Sequence, residues 1–294
     1  MDQFKEQLAL AVGMPVLLAL IIAEVLFTHF HHVKAYSAKE TLTNVYLAAC
    51  NGTLDVLMRV VTFAGLVFCY HFAPVHWTPG CLYWTALFFA EDLAYYTLHY
   101  VDHHCRLFWA VHVTHHSSEE FNITTGFRSS VFQPLYRGLY FAPLALVGFQ
   151  PLDIFFMYAA TQIWGSFVHT QQVRKLGFLE HILVTPSHHR VHHASNGIYL
   201  DKNMGMVLII WDKLFGTFQK ELDEEPVRFG LTRQLPHRDA FNIIFHEWKD
   251  IRRDLGNRAV PWPQRLGYVF KGPGWKPTAV AQEEPVPLEE RQEA

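Results

Sequence analysis

Histidine is the residue type in this chain that is most able to do chemistry, because ten of the 19 histidines fall in two short stretches. The first stretch runs from His99 to His116, and the second runs from His188 to His193. Imidazole is the commonest metal ligand in proteins, whereas a solvated surface or an apolar core has no need of such a concentration. The two stretches therefore predict a metal centre with more than one metal ion.

The spacing of these histidines follows the period of the α-helix. His99 and His103 are four residues apart, and an HxxHH pattern occurs in each stretch, so each set shares one helix face. One metal ion takes roughly four to six ligands, so eight imidazoles fit two ions. The predicted ligands are His99, His103, His112, His115, His116, His189, His192 and His193.

Spacing alone leaves the metal open, because imidazole suits zinc, iron, copper and nickel. The HExxH pattern of many hydrolytic zinc sites is absent, since His246-Glu247 has no second histidine at the required position. A surplus of neutral ligands favours a pair of redox-active metal ions, which the protein must hold through changes of oxidation state. A membrane zinc hydrolase and a metal-ion transporter or metal-binding membrane protein remain alternatives, although transport sites usually lie near mid-membrane.

The segments that must position these histidines are strongly apolar. Half of the residues are hydrophobic and 17% are charged, against roughly 25% in soluble domains. A membrane-spanning helix needs about 20 mostly apolar residues. We therefore predict an all-α integral membrane bundle of about four to five spans, including a retained first one, near residues 8–30, 54–73, 81–100, 133–149 and 152–170.

Both histidine stretches follow an odd-numbered span, so they lie on one side of the membrane. Most of the lysines and arginines of the connecting segments fall on that side, and the positive-inside rule predicts that it is cytoplasmic. The expected organisation is a set of N-terminal spans, a catalytic domain, a cytoplasmic cap and a disordered tail, in residues 1–80, 81–220, 221–271 and 272–294.

The net charge and the cysteine pattern argue against other classes of protein. The net charge is −3 and no large basic cluster occurs, which argues against a nucleic-acid partner. The four cysteines form no CxxC pattern, so neither a disulfide framework nor a thiolate metal site is predicted. Glu24, Asp55 and Arg59 lie near the ends of predicted spans, where we expect them to act as interfacial anchors, with Asp55 and Arg59 paired on one helix face.

The histidine boxes HxxxH, HxxHH and HxxHH, in this order on one membrane face, resemble the fatty acid hydroxylase (sterol desaturase) superfamily. The segments WAVHVTHHSSEEFNITTGFRSS, TPSHHRVHH and DKNMGMVLIIWDKLFGTF are similar to its alkylglycerol monooxygenase-like members. The likeness covers roughly residues 85–220.

The resemblance implies a membrane-bound monooxygenase with two iron ions that activates O₂ and hydroxylates an unactivated C–H bond of a lipid. The lipid would be a fatty acyl chain, a sterol or an alkyl ether lipid, and a desaturase on the same site is the alternative outcome. The chain has no fused cytochrome-like domain and no GxGxxG loop, so a separate electron donor is expected. A reductase, a ferredoxin, a cytochrome or, by the ether-lipid resemblance, a reduced pterin would serve.

A second set of residues is expected to supply an extra ligand or to hold the ligands in place. The family often has a histidine at the position of His169, and ligating histidines need a partner for the other ring nitrogen. The candidates are His188, His169, Asp92, Asp102, Glu119, Asn122 and Asn203.

Overall fold

The computed structural model describes residues 2–277, with side chains from residue 11 onward. Every regular element in this part of the chain is helical, which confirms the all-α prediction. Most of the predicted tail lies outside the described residues. The α-helices are α1 (Asp2–Phe30), α2 (Ala38–His71), α3 (Cys81–His104), α4 (Arg106–His116), α5 (Gly138–Leu146), α6 (Pro151–Phe167), α7 (Pro186–His192), α8 (Ile210–Phe215), α9 (Ala240–Leu255), α10 (Trp262–Arg265) and α11 (Gly267–Phe270).

The long helices form a bundle in which helices that follow one another in the chain alternate in direction, with α1 packed on α6 and α2 packed on α5. At one end, the turn after α2 meets the α5–α6 turn, where Trp77 Nε1 donates to Val147 O at 2.9 Å. Tyr83 at the start of α3 donates to Asp153 at the start of α6 at 2.8 Å. The C-terminal ends of α1, α3 and α6 therefore lie together at the opposite end, where the histidines are.

Two helices are long and apolar enough to cross a membrane, over residues Ala11–Phe30 and Ala38–His71. Only 17% and 6% of their most apolar stretches are buried, whereas the core helix of a soluble protein would be mostly buried. Large apolar side chains such as Leu18, Leu57 and Val60 face outward instead. This exposure fits helices that are surrounded by lipid.

Two of the predicted spans, the fourth and the second, differ clearly from the observed helices. The fourth one becomes α5, with nine residues, or about 14 Å at a rise of 1.5 Å per residue. This helix alone is too short for a hydrocarbon core of about 30 Å. The second one begins 16 residues earlier than predicted, because polar residues of α2 such as Glu40 and Asn44 are turned inward and buried.

The cap closes over the histidine end of the bundle. Arg106 at the start of α4 donates to Glu247 at 2.6 Å and to Asp254 at 2.7 Å, both on α9. Ile243 and Ile244 of α9 pack with Leu47 of α2 in a small apolar cluster. Because α4 is held between α3 and α9, its histidines have a fixed position in the bundle.

Candidate metal centre

Each predicted histidine box lies on its own helix. His99 and His103 end α3, the second box ends α4, and the third box lies on α7 and its C-cap. Helix α7 begins at Pro186, where a missing N–H costs nothing, and Thr185 caps it. The chain turns sharply at Cys105 between α3 and α4, so the first two boxes face each other.

The structure brings all eight box histidines together in two adjoining groups, and it adds His169 from the end of α6. The ligand nitrogens of each group lie within 4.8 Å of one another. Group A contains His99, His103, His112, His116 and His192. Group B contains His115, His169, His189 and His193.

Backbone carbonyls fix the tautomer of several of these rings. A carbonyl can only accept, so Nδ1 carries the proton and Nε2 presents a bare lone pair. The Nδ1–H groups donate at 2.7–2.9 Å, namely His99 to Met204, His115 to Arg128, His169 to Gly165, and His192 to Lys202. This is the arrangement that metal-ligating histidines adopt.

The bare nitrogens face one another in the interior of the protein. Nε2 of His115 and Nε2 of His169 are 3.3 Å apart, although neither carries a proton to share. Nε2 of His103, His192 and His193 is buried without any hydrogen-bond partner. Buried lone pairs without a donor cost free energy. A cation between them would remove that cost, so the donor set fits two metal ions.

Burial keeps these rings neutral, which is the form that binds metal. Burial lowers the pKa of His115 from 6.5 to about 4. Burial is also the main cause of a pKa well below the usual value for His112, His116, His192 and His193, and neighbouring histidines lower it further.

A loop between the third box and α8 supplies three of the ring partners. Asp201 Oδ1 lies 3.1 Å from His103 Nδ1, while the carbonyls of Lys202 and Met204 accept from His192 and His99. Asp201 and Asn203 adopt left-handed backbone conformations, with φ of 55° and 56°. Asp and Asn tolerate this backbone conformation better than most residues. The loop can therefore turn the Asp201 side chain and the carbonyls of Lys202 and Met204 toward the histidine rings.

Asp102 and Ser130 flank His112. Asp102 Oδ2 lies 3.6 Å from His112 Nδ1, and Ser130 Oγ lies 3.2 Å from the same nitrogen. Gln133 and Tyr136 donate to the Asp102 carboxylate at 2.8 and 2.7 Å, which fixes its orientation. Of the predicted acidic partners, Asp102 is thus placed beside a box histidine.

The other predicted supporting residues lie elsewhere. His188 adjoins Glu180 and the cap of α7, and it belongs to neither histidine group. Asp92 accepts from the backbone N–H groups of Val207 and Leu208. The remaining three make contacts outside the groups: Glu119 pairs with Arg238, Asn122 donates to the carbonyl of Ala35, and Asn203 donates to the carbonyls of His188 and Gln219.

Several supporting residues were missed by sequence reasoning. The fully buried Arg128 donates to Glu40 and Asn44 of α2 at 3.0 and 2.9 Å. Its Nε also donates to the carbonyl of Thr114 and the hydroxyl of Ser117 at the end of α4. No local sequence pattern links α2 to α4, so only the tertiary structure reveals this connection.

Glu24 is not the interfacial anchor that the sequence predicts. Its side chain is buried and accepts from the N–H of Ile123 at 2.9 Å. It also accepts from the hydroxyls of Tyr36 and Thr170, and Thr170 follows the group B residue His169. The expected Asp55–Arg59 pair is confirmed, at 3.6 Å.

A cavity of about 530 Å³ leads to the histidines. His103, His116, His192 and His193 line its inner end, and Trp109 of α4 lines its wall. The rest of the lining comes from the loops around residues 194–201 and 230–237, from α9, and from residues 273–274. Among the described residues, none of those that line it belongs to α1, α2, α5 or α6, so it opens away from these helices.

Comparison with known proteins points to one family. The fatty acid hydroxylase model matches residues 84–217, which carry all three boxes. The chain is 40% identical over 196 residues to alkylglycerol monooxygenase of Homo sapiens, covering 66% of this chain and 43% of the relative. It is 33% identical over 275 residues to that of Danio rerio, covering 90% and 59%.

A bacterial protein is also similar. Ornithine lipid hydroxylase of Rhizobium tropici is 31% identical over 196 residues, covering 65% of this chain and 58% of the relative. The chain thus spans about half the length of the curated relatives it matches. No solved structure is significantly similar to it. Through the histidine-bearing residues 84–217, this chain belongs to the fatty acid hydroxylase family.

Proposed function

We propose that this protein is a membrane-bound, O₂-dependent lipid hydroxylase with two iron ions. The observation that carries the proposal is the pair of bare nitrogens of His115 and His169, which face each other at 3.3 Å inside a cluster of nine histidines. The relatives named as lipid hydroxylase and alkylglycerol monooxygenase support an oxidation of lipid.

In this proposal groups A and B each hold one metal ion, with five and four imidazoles in reach. The all-imidazole donor set suits iron but does not select it over other first-row metals, so iron is proposed from the family. Two bound irons would supply the electrons that split O₂, so that one oxygen atom enters a C–H bond and the other leaves as water.

The residues of this chain contribute position and protection. The carbonyls that bind Nδ1 hold each ring with its lone pair toward the metal, so binding requires little reorganisation. His115, His169 and His189 of group B do not line the cavity, which limits the access of bulk water to them. A lipid chain would reach the centre from the bilayer side of the bundle.

Electrons would reach the centre through the cavity on the cap side. The cavity ends at His103, His116 and His192 of group A, and its outer lining includes exposed polar residues such as Thr232, Gln234 and Lys249. An aqueous opening suits a soluble donor. A reductase, a ferredoxin or a cytochrome would dock at the opening, and a reduced pterin would enter it.

The membrane arrangement proposed here is multi-pass, with the histidines on the cytoplasmic face. Helices α1, α2 and α3 would cross the bilayer, and α5 with α6 would form a hairpin in it. Successive long helices run in opposite directions, which supports this topology. Lysines and arginines cluster at the histidine end, among them Lys34, Lys39, Arg174, Lys175 and Lys202.

The experiment that tests this function is lipid analysis of membranes supplied with ¹⁸O₂, with and without the protein. Aldehydes are trapped with borohydride, because an ether-lipid product would otherwise exchange its oxygen with water. We expect a lipid product that gains one ¹⁸O atom. The matched pair His192→Ala and His71→Ala separates loss of the centre from loss of any histidine, because His71 lies exposed at the far end of α2.

The other outcomes contradict hydroxylation in distinct ways. Loss of two hydrogens without ¹⁸O would identify a desaturase. Unchanged lipids together with rapidly exchanging zinc or copper would identify a transporter or metal-binding protein. Product formation that persists without O₂ would identify a hydrolase.

A further inference from the structure

A group of large apolar side chains is exposed on the two segments that flank the third histidine box in the sequence. They belong to the 3-10 helix Gly177–His181, to the residue after it, and to α8. Their exposed fractions range from 44% to 73%. We call them the α8 patch: Phe178, Leu179, Ile182, Ile210, Leu214 and Phe215.

Backbone hydrogen bonds join the two segments of the α8 patch into one unit. Val184 N donates to Val207 O at 2.8 Å, and Ile209 N donates to Ile182 O at 3.1 Å. Leu183 and Leu208 form an antiparallel bridge between them. The patch is therefore a single surface and not two separate loops.

This unit packs about halfway along α3. Asp92 accepts from Val207 N at 2.9 Å and from Trp211 Nε1 at 2.9 Å, and Phe215 stacks on Tyr96. Asp92 is 12 residues before the end of α3 at His104, which is about 18 Å along the helix axis. If α3 crosses the bilayer as proposed above, the unit lies at the depth of the hydrocarbon core.

The surface of α3 continues the apolar patch. Leu82, Phe89 and Tyr96 are spaced seven residues apart, so they share one helix face. Leu82 and Phe89 are 73% and 43% exposed, and Tyr96 contacts the patch through Phe215. Exposed apolar side chains therefore lie on a helix of the bundle as well as on α8.

Irregular backbone survives in hydrocarbon only where its polar groups are satisfied by protein. Two fully buried carboxylates do this here. Asp92 accepts from the N–H groups of Val207 and Leu208, and Asp212 accepts from those of Met204 and Gly205 at 2.6 and 2.9 Å. The N–H groups of this loop therefore have acceptors within the protein, as a hydrocarbon environment requires.

Charged side chains of the unit also have hydrogen-bond partners within the protein. Glu180 accepts from Thr185 and Ser187 at 2.7 and 2.6 Å, and Lys213 donates to the carbonyl of His181 at 2.9 Å. The residues from Met204 to Trp211 contain no charged side chain. This composition is compatible with contact to acyl chains.

We propose that residues 177–184 and 203–218 form a re-entrant hairpin whose α8 patch lies among lipid acyl chains in the leaflet on the histidine side. The inference rests on the proposed membrane topology. The same hairpin supplies the Met204 carbonyl that accepts from His99 at 2.8 Å, so the membrane-embedded surface and group A share one loop.

Photolabelling of the full-length protein in phosphatidylcholine vesicles tests the inference. The vesicles contain a phosphatidylcholine with a diazirine in its acyl chain, and labelled peptides are located by mass spectrometry. We expect labels on the α8 patch at a level similar to α2, and none in the cap loop around residues 219–239. A water-soluble carboxyl reagent should leave Glu180 unmodified while it modifies the exposed Asp223.

The outcomes separate this inference from the topology. Labels on α3 at Leu82 and Phe89 with none on the patch would overturn the hairpin while the topology stands. Absence of labels on α3 would overturn the topology and the hairpin together. A patch reached by neither lipid nor water would be covered by another protein or a second copy, which also overturns the inference.

Discussion

The backbone carbonyl of Arg128 accepts a hydrogen bond from Nδ1 of His115 at 2.9 Å. The guanidinium of the same arginine is fully buried and is bound by Glu40 of α2. One residue therefore connects a membrane-type helix, which lies outside the matched family segment, to a histidine of group B. Helix α2 therefore helps to hold His115 of group B in place.

Replacement of Glu40 should weaken this connection. Glu40→Gln leaves Arg128 as a buried cation without its carboxylate partner, and breaking such a pair costs about 3 kcal/mol or more. We expect the free energy of unfolding to fall by that amount, and the affinity of group B for metal to fall roughly tenfold or more. Denaturant titration in detergent and metal titration measure the two effects.

The matched control is Asp223→Asn, which removes a carboxylate whose side chain is 91% exposed and pairs with Lys175 at 3.4 Å. Exposed pairs contribute little, so its unfolding free energy should change by less than about 0.5 kcal/mol. Equal effects of both substitutions would show that Glu40 has no special connection to the centre.

His169 and His188 provide a comparison of neighbouring histidines with different contacts. His169 belongs to group B, while His188 is bound to Glu180 and the cap of α7. We expect His169→Ala to lose the group B metal and to retain the group A metal, and His188→Ala to retain both. Elemental analysis of the purified variants measures the difference. Retention of both metals by His169→Ala would exclude it as a ligand.

The metal-free protein should become less stable as the pH falls. Burial lowers the pKa of His115 from 6.5 to about 4, so the unfolded chain takes up a proton before the folded chain does. This contribution to stability is complete above about pH 6.5 and is lost as the pH falls toward 4. Unfolding midpoints from pH 7.5 downward measure it. Bound metal should move the loss to lower pH, and a pH-independent midpoint would contradict the neutral cluster.

Obstruction of the cavity should separate turnover from metal binding. Leu231 lines the cavity, so Leu231→Trp fills part of the route proposed for the electron donor. We expect lower steady-state turnover with unchanged metal content and an unchanged first turnover after chemical reduction. The control is Ile198→Trp, because Ile198 is 48% exposed and lies outside the cavity lining. A slowed first turnover would place the obstruction on the lipid route instead.

The box histidines were accessible to sequence reasoning because helical spacing is local. His99 and His103 are one helical turn apart on α3, and the two HxxHH patterns have the same spacing of about one turn. His169 was predicted from the family resemblance as an extra ligand or a supporting residue, and the tertiary structure places it opposite His115 at the end of a separate helix, α6. The polar face of α2 was missed because buried residues such as Glu40 lower its hydropathy without ending the helix.

The partners of the rings were predicted least well, and the reason is physical. Most of them are backbone carbonyls, such as those of Met204, Arg128 and Gly165, and any residue type can supply a carbonyl. Asp92 was expected near the rings but satisfies backbone N–H groups of the hairpin. An acidic residue in an apolar segment indicates that its carboxylate needs hydrogen-bond donors, but the sequence does not identify those donors.

In the proposed centre, the nine histidines hold two metal ions that act together. The most direct test of this arrangement is the number of irons bound per chain after anaerobic reconstitution, counted by elemental analysis and examined by Mössbauer spectroscopy. We expect two irons per chain that are magnetically coupled once oxidised. A single iron per chain, or two irons without coupling, would contradict this arrangement.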